Sequence, residues 1–333
     1  MVIGQDYSLD VERKVLSILK IVQESPQPVG GRLIARELRD RGVDLGERAV
    51  RYHLKLMDER GLTSLVGRDG REITEMGREE LRNALVNDKV GFVISQIELL
   101  AFRTTFDAGR RTGRVVVNTS VFRQKDFERA KAAMSPAFRA GLCVSDLVAL
   151  ARSGEKLDEV TVPDGCIGLA TVCSITVNGA LLKAGIPMDS RFGGLLQMRN
   201  GKPLRFVEII NYAGSSLDPS EIFITSRMTS VGQVTRTGEG KVLANFREIP
   251  AQTRSNVEQV VGDLERASIR GLLTMGQTGE PLCGVPISQN RVGVILLGGL
   301  NPVAAAAEEG LVAEYRAMSG LMDYERLVSF WSL

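Results

Sequence analysis

The sequence predicts a winged helix-turn-helix of the α+β class at the N-terminus, followed by a larger α/β or α+β domain. Two observations carry this. Three amphipathic helical patterns and a short hairpin follow one another before residue 75, and beyond residue 106 the composition shifts to Gly, Val, Ile and Leu in short runs bounded by glycines. The chain therefore divides into a winged-helix domain over 1–74, a helical linker over 75–109 and a second domain over 110–333.

Asp10 to Gln23 places Val11, Val15, Ile18, Leu19 and Val22 at helical spacing, with Glu12, Arg13, Lys14 and Lys20 between them, which predicts a first helix. Ser25, Pro26, Pro28, Gly30 and Gly31 break that pattern. A second helix follows with Leu33, Ile34 and Leu38 inward and Arg36, Arg39 and Asp40 outward, closed by Arg41-Gly42. After the turn Val43 to Gly46, a third helix from Glu47 to Arg60 sets Val50, Leu54 and Met57 on one face and Arg48, Arg51, Tyr52 and Lys55 on another. Leu62 to Val66 and Arg71 to Thr74 form a hairpin around the turn Gly67-Arg68-Asp69-Gly70.

In this arrangement the third helix enters the major groove of double-stranded DNA and the wing crosses neighbouring phosphates. Glu47, Arg48, Arg51, Tyr52 and Lys55 are the candidate readers, and Arg68 and Arg71 the candidate wing contacts. Total charge gives no argument for nucleic acid, because 42 Lys plus Arg stand against 40 Asp plus Glu. Placement does, since Arg48, Arg51 and Lys55 share one helical face. The competing reading is a protein-interaction module, which winged helices also provide. His53 falls between the apolar and basic faces and reads as a half-buried packing residue.

With 333 residues, 44% of them hydrophobic, each domain can bury its own core without disulfides. Cys143, Cys166, Cys173 and Cys283 are too widely spaced for a zinc site, and the only histidine, His53, is far upstream of them. Apolar stretches are interrupted every few residues by charge or glycine, and the N-terminus lacks a charged-then-apolar layout. The expectation is a cytoplasmic protein without a membrane span.

Thr74 to Asn87 and Asp88 to Thr105 read as two helices, the second with an apolar stripe of Val90, Val93, Ile94, Ile97, Leu100 and Ala101. That stripe can pair with its own copy, giving at least a dimer, or pack on its own second domain. Beyond it, four sequence echoes occur in order: Gly113 to Asn118 with Gly240 to Asn245, Ala184 to Pro187 with Cys283 to Pro286, Phe192 to Leu196 with Val292 to Leu296, and Ser216 to Pro219 with Gly299 to Pro302. Their unequal offsets leave two pseudo-repeated halves and a single undivided domain equally open.

Two segments offer ligand chemistry. Gly165 to Gly179 presents Thr171, Cys173, Ser174, Thr176 and Asn178 on a strand or its exit, with Lys183 and Arg191 close by to neutralise a carboxylate; an ordinary strand with a polar outer face explains the same residues. A strand from Val292, then Gly298, Gly299 and Asn301, then an alanine-rich helix leaves backbone N–H groups for an anion, and also makes an ordinary tight turn. If neither Lys183 nor Arg191 holds the charge, Arg205, Arg227, Arg247 and Arg291 are the next cations to consider. No Walker loop, dinucleotide glycine fingerprint or serine-hydrolase elbow occurs, so no cofactor is expected and binding is favoured over catalysis.

The segments RAVRYHLKLMDERGL, GCIGLATVCSITVNGALLKAGIP, FGGLL, YAGSSLDPSEIFI, FREIPA and GGLNPVAAAAEEG, in this order, resemble the NrpR repressors of nitrogen assimilation in methanogenic archaea. The resemblance implies a homo-oligomeric repressor that binds palindromic operators of nitrogen genes and is released by 2-oxoglutarate. Well-known members of that family carry two effector domains after the winged helix, whereas this chain has room for one; a second chain could supply the other. Two readings from other classes stand beside it: an enzyme acting on a small oxo-acid with a fused winged helix, and a winged-helix protein-interaction scaffold.

Overall fold

The computed structural model describes residues 3–333 apart from 26, 42, 68–69, 83–90 and 158–159. Two compact units emerge, residues 1–89 and 90–333. In the first, α1 (Ile3–Glu24), α2 (Gly31–Asp40) and α3 (Glu47–Glu59) bring Ile18, Leu19, Ile34, Leu38, Val50, Leu54 and Met57 into one apolar core. The spacing that predicted three helices is the spacing of this core. His53 joins it and is buried rather than half-buried, with the ring of Tyr52 edge-on to its own.

The wing is an antiparallel pair, β1 (Thr63–Val66) and β2 (Gly70–Ile73), each strand one residue shorter or shifted against the expectation. Val29 and Arg71 exchange both backbone hydrogen bonds, so the segment before α2 lies along β2. Gly70 (φ +141°) makes this approach possible: a Cβ there would fall 2.5 Å from the Val29 carbonyl carbon. The helix expected from Thr74 is α4 (Glu75–Arg82); its expected continuation to Asn87, the start of the next helix at Asp88, and Arg68 at the wing tip lie outside the described residues.

The second unit opens with α5 (Phe92–Arg103). Val93, Ile97, Leu100 and Ala101 are buried in the core of this same unit, so the stripe that offered a pairing surface is spent on intramolecular packing. α5 thus belongs to the larger unit.

Two five-stranded antiparallel sheets follow. The chain runs β3 (Arg114–Arg123), α6 (Phe127–Arg139), β4 (Leu147–Arg152), a small β5–β6 hairpin (Lys156–Leu157 and Val160–Thr161), β7 (Cys166–Val172), α7 (Ile175–Lys183) and β8 (Asp189–Arg199). β9 (Lys202–Asn211), α8 (Pro219–Thr225) and α9 (Val231–Thr237) intervene. Then come β10 (Gly240–Pro250), α10 (Arg254–Arg266), β11 (Leu272–Thr278), β12 (Arg291–Leu297), α11 (Asn301–Glu308), β13 (Glu314–Asp323) and the short β14 (Val328–Ser329). Strand order is β13-β3-β7-β4-β14 in one sheet and β9-β8-β10-β12-β11 in the other. Neighbouring residues of the central strands enter different apolar clusters, Val116 one and Val115 and Val117 the other. Both faces are therefore covered, which is why these strands read as apolar runs rather than alternations.

The order strand, helix, strand, strand, helix, strand occurs twice, from β3 to β8 and from β10 to β13, with counterparts about 126 positions apart. The last strand of each series pairs with the first strand of the other: β8 with β10, and β13 with β3. Of the four sequence echoes, Gly113 to Asn118 with Gly240 to Asn245 falls on counterparts, the starts of β3 and β10. The pairing of Phe192 to Leu196 with Val292 to Leu296 does not, since β8 corresponds in order to β13 and not to β12.

Matching side chains extend two central strands. β7 ends at Val172 opposite Val117, and the Thr176 hydroxyl then bonds the N–H and C=O of Val116 at 3.0 and 3.2 Å. β12 ends at Leu297 opposite Ala244, and Asn301 bonds the N–H and C=O of Leu243 at 2.8 and 2.9 Å. Asn301 is fully buried, so Asn301→Ala should strand the Leu243 N–H and lower unfolding free energy by about 1 to 3 kcal/mol, read from the urea midpoint. An unchanged midpoint would contradict this role.

Candidate functional site

On the first unit, Arg48, Arg51, Tyr52 and Lys55 are all exposed along one side of α3, while Val50, Leu54 and Met57 hold the other side in the core. Glu47 at the first turn accepts from Arg51 at 2.6 Å, and Lys55 lies 3.9 Å from Glu59. These exposed i,i+4 pairs orient the cations at little energetic cost and are readily exchanged for phosphates. Arg32, Arg36 and Arg39 of α2 are exposed too, adding positive charge on the helix that crosses the DNA backbone in helix-turn-helix complexes. Arg71 is different: its Nε donates to Asp58 at 2.8 Å, half-buried, and Asp58 also accepts from the Thr63 hydroxyl at 2.6 Å. It ties the wing to α3 rather than reaching outward as expected.

In the second unit a small cavity of about 20 Å³ lies where the two series of elements meet, room for about one water molecule. Its walls include Cys173 and Ser174 from the β7–α7 turn and, from the corresponding β12–α11 turn, Gly298, Gly299 and Leu300. The turns almost touch: a Cβ on Gly299 would stand 2.3 Å from the Val172 carbonyl oxygen and 2.6 Å from Asn118 Nδ2. Only glycine fits there.

Two asparagines at matching places on β3 and β10 face this space. Asn118 donates to the Thr171 hydroxyl at 3.3 Å and accepts from the Met318 N–H at 3.1 Å. Asn245 donates to the Ser174 hydroxyl at 3.1 Å and accepts from the Tyr212 hydroxyl. Beside them is Arg247, 0% exposed, whose Nε, Nη1 and Nη2 have no hydrogen-bond partner among the described residues. Its guanidinium lies 5.1 Å from the centre of the Tyr212 ring. A buried guanidinium without partners is costly, several kcal/mol, so an anion brought to it is strongly favoured. Neither Gly299 nor Leu300 donates its N–H to another described residue, and both precede α11, where the helix dipole favours negative charge.

Burial sets the protonation of the other groups. It pushes the Cys173 thiol up to about 11 and raises the Tyr212 phenol further, against the opposing pull of Arg247. It also raises Asp218, the N-cap of α8, while hydrogen bonds from Ser220 and the Glu221 N–H and the charge of Arg247 favour the carboxylate and oppose that rise. The cavity thus offers one strong cation, several neutral donors, and a thiol and a phenol kept protonated, a composition for binding an anion.

Among the residues proposed from sequence, Cys173, Ser174, Gly298 and Gly299 line this cavity, and Thr171 stands behind Asn118. Thr176 and Asn178 are on the helix at the strand's exit, which Lys183 ends, because the strand stops at Val172. Thr176 and Asn301 are committed to backbone atoms, and Asn178 donates to Ser190 at 3.2 Å. Lys183 is exposed at the end of α7, and Arg191 is exposed and paired with Asp189 and Glu248 at 3.4 and 4.0 Å. Neither lines the cavity; Arg247, from the second rank of cations, does. Asn118, Asn245, Tyr212 and Asp218 went unnoticed, although the echo of Gly113 to Asn118 in Gly240 to Asn245 ends on both asparagines.

Comparison with known proteins adds to this geometry. Residues 90–329 match the family described as NrpR regulatory domains NRD1 and 2, and residues 16–81 match the winged-helix domain of ribonuclease R. The chain is 43% identical over 317 residues to the global nitrogen regulator NrpRI of Methanosarcina mazei, covering 95% of this chain and 98% of that protein. It is 36% identical to the global nitrogen regulator NrpR of Methanococcus maripaludis, of whose length it spans 54%. A crystal structure of a nitrogen repressor-like protein from Methanococcus jannaschii superposes with a TM-score of 0.61 at 28% identity, covering 72% of this chain and 98% of that one.

The Asp58–Arg71 pair gives a prediction for the wing. Arg71→Ala should cost about 1 to 2 kcal/mol of stability in the first unit, measured by denaturant unfolding, because it strands a half-buried carboxylate. A variant of normal stability that binds DNA with a flattened salt dependence would instead make Arg71 a phosphate contact.

Proposed function

The chain belongs to the NrpR family of nitrogen regulators, and we propose that it is a transcriptional repressor of nitrogen-assimilation genes. It holds operator DNA through α3 and releases it when 2-oxoglutarate enters the cavity around Arg247. The observation that carries this reading is the fully buried Arg247 guanidinium without a hydrogen-bond partner among the described residues. A dianion with a keto oxygen asks for one cation and several neutral donors. Arg247, the two asparagine amides, the Ser174 hydroxyl and the Gly299 and Leu300 N–H groups make up that set.

The regulatory domain matched over residues 90–329 and the regulators among the relatives favour a sensor over an oxo-acid enzyme. Cavity size supplies the regulatory step. An oxo-dicarboxylate is several times larger than one water, so its entry must separate the two turns and the elements behind them. A ligand that binds one arrangement better than another shifts the population toward it, and operator affinity falls by linkage.

One recognition helix reads too few base pairs to find an operator among genomic competitors, so the working form is a homo-oligomer on a palindromic site. The chain spans about half the length of the NrpR relatives from Methanococcus maripaludis and Methanocaldococcus jannaschii. Among the described residues no helix is long and apolar enough to cross a membrane.

Gel-shift titration on the promoter of the neighbouring operon, with and without 2-oxoglutarate, tests this together with calorimetry. Arg247→Met should lose about 2 to 5 kcal/mol of 2-oxoglutarate affinity yet bind operator normally, giving a repressor that is not released. Arg51→Ala should behave in the opposite way, losing about 1 to 3 kcal/mol of operator affinity per half-site with ligand binding intact. Undiminished 2-oxoglutarate affinity in Arg247→Met would rule out this cavity as the effector site.

A further inference from the structure

The helix that opens the second unit is apolar on both sides. Val93, Ile97, Leu100 and Ala101 are buried, while on the other side Phe92, Leu99 and Phe102 are 56%, 53% and 76% exposed. A helix apolar all round is normally enclosed, and three large apolar side chains in a row on one outer face are unusual for a free surface. Phe92, Ser95, Leu99 and Phe102 are spaced three, four and three residues apart, the a and d positions of a heptad seam. In the same frame Ile97 takes the f position, opposite the seam, where it is packed into its own unit.

We infer that α5 is the registering core of a two-fold interface with a second copy of this chain, the two α5 helices lying parallel. The charges beside the seam select both partner and direction. Glu98 falls at g and Arg103 at the following e, the two positions that face each other across a parallel pair. An antiparallel pair would set Glu98 against Glu98 and Arg103 against Arg103. Neither residue has an ion-pair partner among the described residues, so both are available to a second chain. The patch is self-complementary, as an isologous contact requires.

Two helices of twelve residues cover less than the about 800 Å² per partner of an ordinary stable interface, so they fix the register of a wider contact.

The test uses the full chain in sedimentation at micromolar concentration. Wild type sediments as a dimer or larger, and Leu99→Glu/Phe102→Glu weakens association by about a hundredfold or more with its melting curve preserved, since both side chains are exposed. Glu98→Arg weakens the dimer, and adding Arg103→Glu restores it. Ser95→Cys forms an intermolecular disulfide under mild oxidation that wild type, with its four native cysteines, does not. A monomeric wild type, full association in Leu99→Glu/Phe102→Glu, a double charge reversal no better than the single, or no cross-link at Ser95→Cys would each overturn the parallel pairing. Unchanged mass with faster proteolysis of the N-terminal unit in Leu99→Glu/Phe102→Glu would assign the face to that unit instead.

Discussion

A buried guanidinium without a hydrogen-bond partner among the described residues is the constraint around which the larger unit is organised. Arg247 is fully buried on a central strand, β10. Removing such a charge from water costs several kcal/mol, and the surroundings repay only part of it through the Tyr212 ring and the partly enclosed Asp218. The rest of the fold has to be stable enough to carry that deficit. Two sheets with both faces covered, and central strands extended by Thr176 and Asn301, provide the stability.

The exchange of end strands places the charge where it can act. Because β8 joins the β10 sheet and β13 joins the β3 sheet, the two corresponding turns meet at one point, with Gly299 against Val172 and Asn118. Anything larger than a water that reaches Arg247 must push between them. The same place touches α5. Ile97 lines the cavity, Gln96 donates to the Met318 carbonyl at 3.2 Å, and the Met318 N–H donates to Asn118. Met318 is at a bulge of β13 with φ +49°, strained for a residue with a side chain. At its other end α5 is fixed by Val93 N–H to the Ser215 carbonyl, three residues beyond Tyr212. The cavity wall and α5 are thus joined by direct contacts at both ends of the helix.

Legibility in the sequence followed locality. The winged helix was readable because its core is made by short-range periodicity: Val50, Leu54 and Met57 declare an inner face, and Arg48, Arg51 and Lys55 an outer one. β7 and the strand-glycine-helix run at Gly298 were readable for the same reason. Arg247 was not, because FREIP carries a charged pair in an apolar strand and nothing local shows that one member lacks a partner. Lys183 and Arg191 were preferred by nearness in sequence to the polar segment, yet Lys183 ends a helix and Arg191 already has two acids. Three of the four echoes do not fall on matching elements of the repeated order, which β9, α8 and α9 interrupt; the fourth ends at Asn118 and Asn245, both facing the cavity.

Amide hydrogen exchange of the full chain with and without 2-oxoglutarate tests the central claim most directly, because it reads the backbone N–H groups of the two meeting turns. The account predicts that the ligand slows exchange at Gly299 and Leu300, with an accompanying change in α5, and that Arg247→Met abolishes both effects. Protection confined to the surface around Lys183 and Arg191, with the turns unchanged, would contradict it.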